Sequence, residues 1–163
     1  MLNIQRREGK RPETTNTNPH EQLTQTPNLE THEYFKLKLF DFDKVQRRPS
    51  MISVPGSEAL WLEESQPCNC ENGFMVGREF AHIHPAYDGS LHVALSEADF
   101  KVVIDANWGE KHPLAGQGFI PATIALVYAP RNIEEMDEVM KIVNASLMNA
   151  KKTEQAAWWS SYL

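Results

Sequence analysis

The sequence REFAHIHPAYDGSLHVAL, from Arg78 to Leu95, contains the pattern on which the predicted sheet depends. Two β-favouring runs, 78–84 and 91–95, flank a segment that contains proline, aspartate and glycine. Turn-forming residues between two alternating runs are typical of a β-hairpin with a longer loop. We therefore predict that the two runs pair as antiparallel strands.

Three histidines of this hairpin are predicted to share one face of the sheet. Alternate residues of a strand point to the same side, so Arg78 and Phe80 are expected beside His82 and His84. If even positions pair with even positions, His92 of the second strand joins them, whereas a slip by one residue would separate them. The sequence thus predicts a polar cluster on one sheet face.

A cluster of three imidazoles has three chemical interpretations. It can act as general acid and base, because imidazole titrates near neutral pH. It can bind a metal ion, since imidazole is a common metal ligand. The rings can also be structural, each nitrogen being satisfied by a carbonyl or a carboxylate. We expect catalysis without a metal cofactor, and a metal ion held by His82, His84 and His92 is the alternative.

Beyond the hairpin, the sequence predicts further strands of a sheet and two main helices. Strands are expected at 34–42, at 59–63 and at 120–128, the last in a central position. Helices are expected to begin after Ser96 and after Asn132, because each of these capping residues precedes an apolar stripe at helical spacing. The predicted fold is α+β, an antiparallel sheet with both helices packed on one face.

Composition divides the chain into an arm and one domain. Residues 1–30 are rich in Thr, Asn, Gln and Pro, which predicts a flexible polar arm. Residues 31–163 are expected to form a single domain, whose aromatic end, 158–163, docks on the core or closes over a pocket. Cys68 and Cys70 are expected to be reduced, because one intervening residue is too few for an ordinary disulfide.

The overall charge excludes several classes of partner. The chain has 163 residues and a formal net charge of -6, which argues against binding to nucleic acid or anionic lipid. No stretch approaches the roughly 20 apolar residues that cross a bilayer, so we expect no membrane anchor and a cytoplasmic protein. The expected partner is a small organic substrate, and a homo-oligomer through the long helix or the terminal tryptophans is possible.

Further site residues are expected around the hairpin. The connector 108–116 adds His112 to the catalytic candidates, because loops between rigid elements often carry function; the alternative is a connector that only turns the chain. The expected substrate-binding residues are aromatic side chains that would line the same pocket, namely Phe80, Tyr87, Trp108 and Tyr128. A core position with only the hydroxyl at the rim is the alternative for Tyr128.

Four stretches of the sequence resemble the luciferase family of bioluminescent fungi. They are REFAHIH at 78–84, LHVAL at 91–95, WGEKHPLAG at 108–116 and YAPRN at 128–132. The resemblance covers about residues 74–148 and implies an enzyme that adds molecular oxygen to a hydroxylated styrylpyrone without an established metal or organic cofactor. It further implies that His82, His84 or His92 deprotonates an enol or phenol and that Arg78 stabilises the anion.

Three functions remain open at this point. The first is a non-luminous oxygenase that acts on an electron-rich enol, pyrone or polyketide-like substrate and consumes oxygen. The second is a cofactor-free cyclase, pericyclase (for example of the Diels–Alder type) or isomerase of natural-product biosynthesis, which turns over without oxygen. The third is a non-catalytic module that only binds a small molecule.

Overall fold

The computed structural model describes residues 1–152, which form an antiparallel sheet of six strands and three helices. In chain order the elements are α1 (Leu29–Leu39), β1 (Val45–Pro49), β2 (Glu58–Leu62), β3 (Glu79–Ile83), β4 (Leu91–Ala94), α2 (Glu97–Asp105), β5 (Gly109–Lys111), β6 (Ile124–Val127) and α3 (Ile133–Lys151). The strands lie in the order β1-β2-β3-β4-β6-β5. The predicted α+β class and antiparallel sheet are confirmed.

One hydrophobic core lies between the sheet and the helices. Alternate residues of the strands, such as Leu60, Ala81 and Val93, contribute one face of the sheet to it. All three helices supply the opposite side, for example through Phe35 of α1 and Val143 of α3. This packing buries one sheet face completely and leaves the other for the histidines.

The two predicted helices begin where their capping residues place them. The side chain of Asn132 accepts a hydrogen bond from the backbone N–H of Glu135, and α3 then buries Met136, Val143 and Leu147 along one stripe. The side chain of Ser96 accepts from the backbone N–H three residues later in the same way.

The first helix replaces a strand that the sequence predicted at 34–42. The side chain of Asn28 caps α1 by accepting from the Thr31 backbone N–H at 2.8 Å. The buried positions His32, Phe35 and Leu39 recur at helical spacing, so the alternation of apolar residues here was misleading. The strand prediction for this segment is therefore wrong.

The edges of the sheet also differ from the prediction. Residues 45–49 form the edge strand β1, where the sequence predicted no strand. The connector after α2 contains β5, a short strand at the opposite edge. Because β5 pairs with β6, the strand expected in a central position lies second from the edge.

The first 28 residues lie against the domain in the structure, although their composition suggests a flexible arm. Leu2 and Ile4 pack against the core, and Arg7 and His20 are buried. Gln22 donates its backbone N–H to Asp88 and accepts a hydrogen bond from a backbone N–H of the domain. Hydrogen bonds between buried polar groups thus take the place of the apolar contacts that the segment lacks.

A disulfide lies in the loop after β2. Cys68 and Cys70 are joined in a disulfide, contrary to the expectation that they are reduced, since their Cα atoms come within 5.1 Å of each other.

The aromatic segment 158–163 lies outside the described residues. Within residues 1–152, none of the helices has both the length and the apolar character required to cross a membrane.

Candidate functional site

A cavity of about 460 Å³ opens on the sheet face that carries the histidines. Its floor consists of five buried histidine side chains, namely His20, His82, His84, His92 and His112. Its walls are largely apolar and come from the β1–β2 connection, from Met75 and from the loop after β5. A polar floor under apolar walls is typical of small-molecule sites.

The register of the central hairpin brings the first histidines together. Residue 82 of β3 pairs directly with residue 92 of β4, which confirms the even-to-even pairing predicted from the sequence. The next even position of the chain, His84, follows β3 and lies with its ring centroid 4.8 Å from that of His92. Three histidines from one hairpin therefore meet on one sheet face.

A β-bulge shifts the phase of β3 just before these histidines. Leu60 pairs with Ala81, but the next residue of β2, Trp61, pairs with Glu79, so Phe80 is an extra residue. Such a residue reverses the alternation of side chains beyond it. As a result Glu79 lies on the histidine face, whereas Phe80 belongs to the main core.

Contacts of 2.8–3.2 Å between polar atoms connect three of the histidines and two glutamates in a continuous series. Glu79 Oε2 lies 2.8 Å from His82 Nδ1, and His82 Nε2 lies 3.0 Å from His92 Nδ1. His92 Nε2 lies 3.2 Å from His20 Nδ1, and His20 Nε2 lies 3.1 Å from Glu110 Oε2. The orientation of each ring is therefore fixed by partners on both sides.

The other two histidines are oriented by different partners. Nδ1 of His84 lies 3.0 Å from Asp88 Oδ2 and 3.0 Å from the Ser90 hydroxyl, which itself donates to Asp88. Nδ1 of His112 accepts the backbone N–H of Leu114 at 3.0 Å. Each ring thus keeps Nε2 for the cavity, as a lone pair on His84 and as an N–H on His112.

The site favours neutral imidazoles. Burial lowers the pKa of His82 below that of a free imidazole and lowers the pKa of His92 well below it. Burial, together with the nearby His20, lowers the pKa of His112 to about 4. These rings therefore carry one N–H each near neutral pH, which limits the hydrogen bonds that they can donate.

Four of the five predicted catalytic residues meet in the cavity, and Arg78 does not. The guanidinium of Arg78 donates to three backbone carbonyls, those of Leu62, Glu63 and Gln66. It thereby fixes the loop after β2. The bulge explains this position, because it removes Arg78 from the face that strand alternation assigned to it.

None of the four aromatic residues predicted to bind substrate lines the cavity. Phe80 and Trp108 are core residues, and the Trp108 indole N–H donates to the backbone carbonyl of Gln5. Tyr87 is 60% exposed. The Tyr128 hydroxyl donates to Glu110 at the end of the histidine series, and burial with this carboxylate raises the pKa of Tyr128 to about 12.

Sequence reasoning missed His20 and Glu79 as site residues. His20 lies in a polar segment without strand or helix periodicity, so only the fold brings it to the cavity. Glu79 lies within the recognised stretch REFAHIH, but strand alternation placed it on the opposite face. The apolar side chains of the cavity walls were also not predicted; they are Ile52, Val54, Met75, Leu114, Phe119 and Ile120.

Comparison with known proteins identifies relatives of the central part of the chain. Residues 77–146 match the family model of the luciferase domain. The chain is 34% identical over 157 residues to a luciferase of Armillaria mellea, which covers 86% of this chain and 59% of that protein. It is 36% identical over 159 residues to a luciferase of Neonothopanus nambi, with 86% and 58% covered.

A third relative has a shorter but closer match. The luciferase of Armillaria gallica is 46% identical over 72 residues, which is 43% of this chain and 27% of that protein. The chain thus spans less than three fifths of the length of these three curated relatives. No solved structure matches the chain.

Proposed function

Because the chain belongs to the luciferase-like domain family, we propose that it is an enzyme that oxygenates an electron-rich enol or pyrone. The observation that carries this proposal is the cavity itself, in which five buried histidines form the floor beneath apolar walls. A planar, mostly apolar substrate with one ionisable hydroxyl group matches such a cavity. The substrate would place its ring between the walls and its hydroxyl group against the histidines.

The size of the cavity supports a substrate of this kind. Its volume of about 460 Å³ lies within the range of roughly 300–1,000 Å³ that is usual for small-molecule sites. Ile52, Leu114 and Phe119 offer apolar contacts around the opening. The 76% exposure of Phe119 leaves its ring free to cover a bound substrate.

The proposed reaction begins with ionisation of the substrate hydroxyl at the histidine floor. The resulting anion transfers electrons to dioxygen, and a bond forms between a substrate carbon and one oxygen atom. Dioxygen is thereby reduced to the level of a peroxide, the proton lost from the substrate hydroxyl returns to the outer peroxide oxygen, and both oxygen atoms stay on the product. The Nε2–H of His112 is placed to donate a hydrogen bond to the substrate anion.

Incubation with and without oxygen tests this proposal. The full chain would be mixed with hydroxylated pyrones, and oxygen uptake and product mass would be recorded. We expect a product that gains the mass of dioxygen only in air. An isomer of the substrate, formed equally without oxygen, would replace the oxygenase with the cyclase or isomerase, and binding without any product would leave only a binding module.

A variant pair separates the cavity histidines from histidines in general. His112→Ala removes the proposed hydrogen-bond donor and is expected to lower kcat by about 10²-fold. His32→Ala is the matched control, since His32 is also buried but does not line the cavity. Equal activity of the two variants would contradict the role of His112.

A further inference from the structure

The hydrogen bonds of the histidine floor leave three ring nitrogens without a proton between them. Glu79 accepts hydrogen bonds from the Ser50 hydroxyl and the Met51 backbone N–H, so it is a carboxylate that also accepts from His82 Nδ1. A neutral imidazole carries one N–H only. The other nitrogen of His82, Nε2, is therefore a lone pair that points toward the cavity floor.

His84 and His92 reach the same state through other partners. The Ser90 hydroxyl donates to Asp88, so the proton between His84 and this pair belongs to His84 Nδ1. The Glu110 carboxylate likewise requires the proton of His20 on Nε2, which leaves His20 Nδ1 to accept from His92 Nε2. Nε2 of His84 and Nδ1 of His92 then each carry a lone pair as well.

These lone pairs converge on one point of the floor. Three neutral rings supply three protons for the four contacts between Glu79 and Glu110, so one contact has no proton. When His92 carries its proton on Nε2, this is the 3.0 Å contact between His82 Nε2 and His92 Nδ1. One ring nitrogen from each of His82, His84 and His92 lies within 4.8 Å of the others. Buried acceptors that face each other are unfavourable unless a cation lies between them.

We propose that His82, His84 and His92 are the ligands of a divalent first-row transition-metal ion. Ligand histidines usually donate their second ring nitrogen to a carboxylate or another acceptor, and all three do so here, to Glu79, to Asp88 and to His20. Nitrogens bound at about 2.0–2.1 Å around a tetrahedral ion are about 3.4 Å apart. His82 Nε2 and His92 Nδ1, at 3.0 Å, are already close to this spacing.

A second group of histidines is a poorer ligand set. His20, His92 and His112 also bring ring nitrogens within 4.8 Å of one another. However, Nδ1 of His112 accepts the Leu114 backbone N–H, so the proton of this ring lies on Nε2, where a metal ion would have to bind. We therefore assign His112 to the substrate and not to the ion.

This assignment rests on the proposed function and adds a chemical reason why the substrate hydroxyl would ionise at the floor. Three protein ligands leave coordination positions open toward the cavity, as in catalytic metal sites. An enol or phenol oxygen bound there would ionise more readily, because the ion stabilises its negative charge. The substrate class that follows is one whose ionisable oxygen is small enough to reach the floor, with the remainder of the molecule between the apolar walls.

Metal binding can be measured without any substrate. The full chain would be treated with a chelator, dialysed and titrated with Co²⁺, whose visible absorption reports coordination by nitrogen ligands. We expect one Co²⁺ per chain in the wild type, loss of this binding in His84→Ala, and unchanged binding in His32→Ala and His112→Ala. Absence of a stoichiometric site in the folded wild type would overturn the assignment, as would full binding by His84→Ala.

Glu79→Gln keeps the assignment testable if histidine variants fail to fold. The change retains the size of the side chain but weakens the acceptor for His82 Nδ1, so Co²⁺ affinity is expected to fall by roughly 10–100-fold. Unchanged affinity in a folded Glu79→Gln protein would count against the assignment. Oxygenation by metal-free protein would overturn the role of the ion in the reaction but keep the proposed function. A bound ion without oxygen uptake would keep the ligand assignment and overturn the proposed function.

Discussion

Ser146 of α3 connects the helix layer to both strands of the central hairpin, at Ala94 of β4 and at Phe80 of β3. Its buried hydroxyl oxygen lies 3.2 Å from the Phe80 carbonyl oxygen and 2.6 Å from that of Ala94. Ser146→Ala removes this donor and leaves a buried carbonyl without it. We expect the free energy of unfolding to fall by about 1–2 kcal/mol, the usual cost of losing such a bond.

Urea denaturation followed by circular dichroism measures this change, and thermal unfolding gives a second estimate. For a domain of this size, 1–2 kcal/mol corresponds to a decrease in Tm of roughly 2–8 °C. Ser65→Ala is the control, since Ser65 is exposed and its loss is expected to cost less than about 0.5 kcal/mol. Equal stabilities of the two variants would refute the view that the Ser146 hydroxyl holds α3 to the central hairpin.

Two further predictions concern stability away from the histidines. Gly77 has a φ of +54°, and a Cβ atom there would lie 2.5 Å from the Trp61 ring. Gly77→Ala is therefore expected to lower the unfolding free energy by about 1–3 kcal/mol in thermal or urea denaturation. An unchanged stability would show that this turn is not constrained. The hydrogen-bonded Arg47 lowers the pKa of Glu58 from its ordinary value of 4.5, so the ionised carboxylate stabilises the fold at higher pH and this contribution is lost as the pH falls below that value. The stabilities of wild type and Glu58→Gln should therefore converge as the pH falls below 4.5, and a constant difference at lower pH would contradict the ion pair.

The hairpin and two helices could be predicted because their signals are local. The pairing of His82 with His92 follows from strand alternation and a turn between the two runs. Asn132 and Ser96 cap their helices through side-chain contacts three residues away. Such interactions lie within a few residues of the chain and leave a clear pattern in the sequence.

Other parts of the site depend on contacts that leave no local pattern. The bulge at Phe80 forms against β2, about 20 residues earlier in the chain, and it alone determines that Glu79 and not Arg78 joins the histidines. α1 has its apolar residues at spacings that also fit a strand, and only its cap and its packing on the core distinguish the two. Tertiary contacts therefore decided these positions.

The position of His20 divides the cavity between two stretches of the chain. The three proposed ligands and His112 all lie within residues 77–146, the part that matches the luciferase domain, whereas His20 and Pro19 come from the first 28 residues. A chimera that exchanges residues 1–28 between two such proteins would therefore keep the three proposed ligands and His112 and replace His20 and Pro19. We expect such a graft of one terminal segment to alter substrate preference, while the hairpin that carries the three proposed ligands stays as it is.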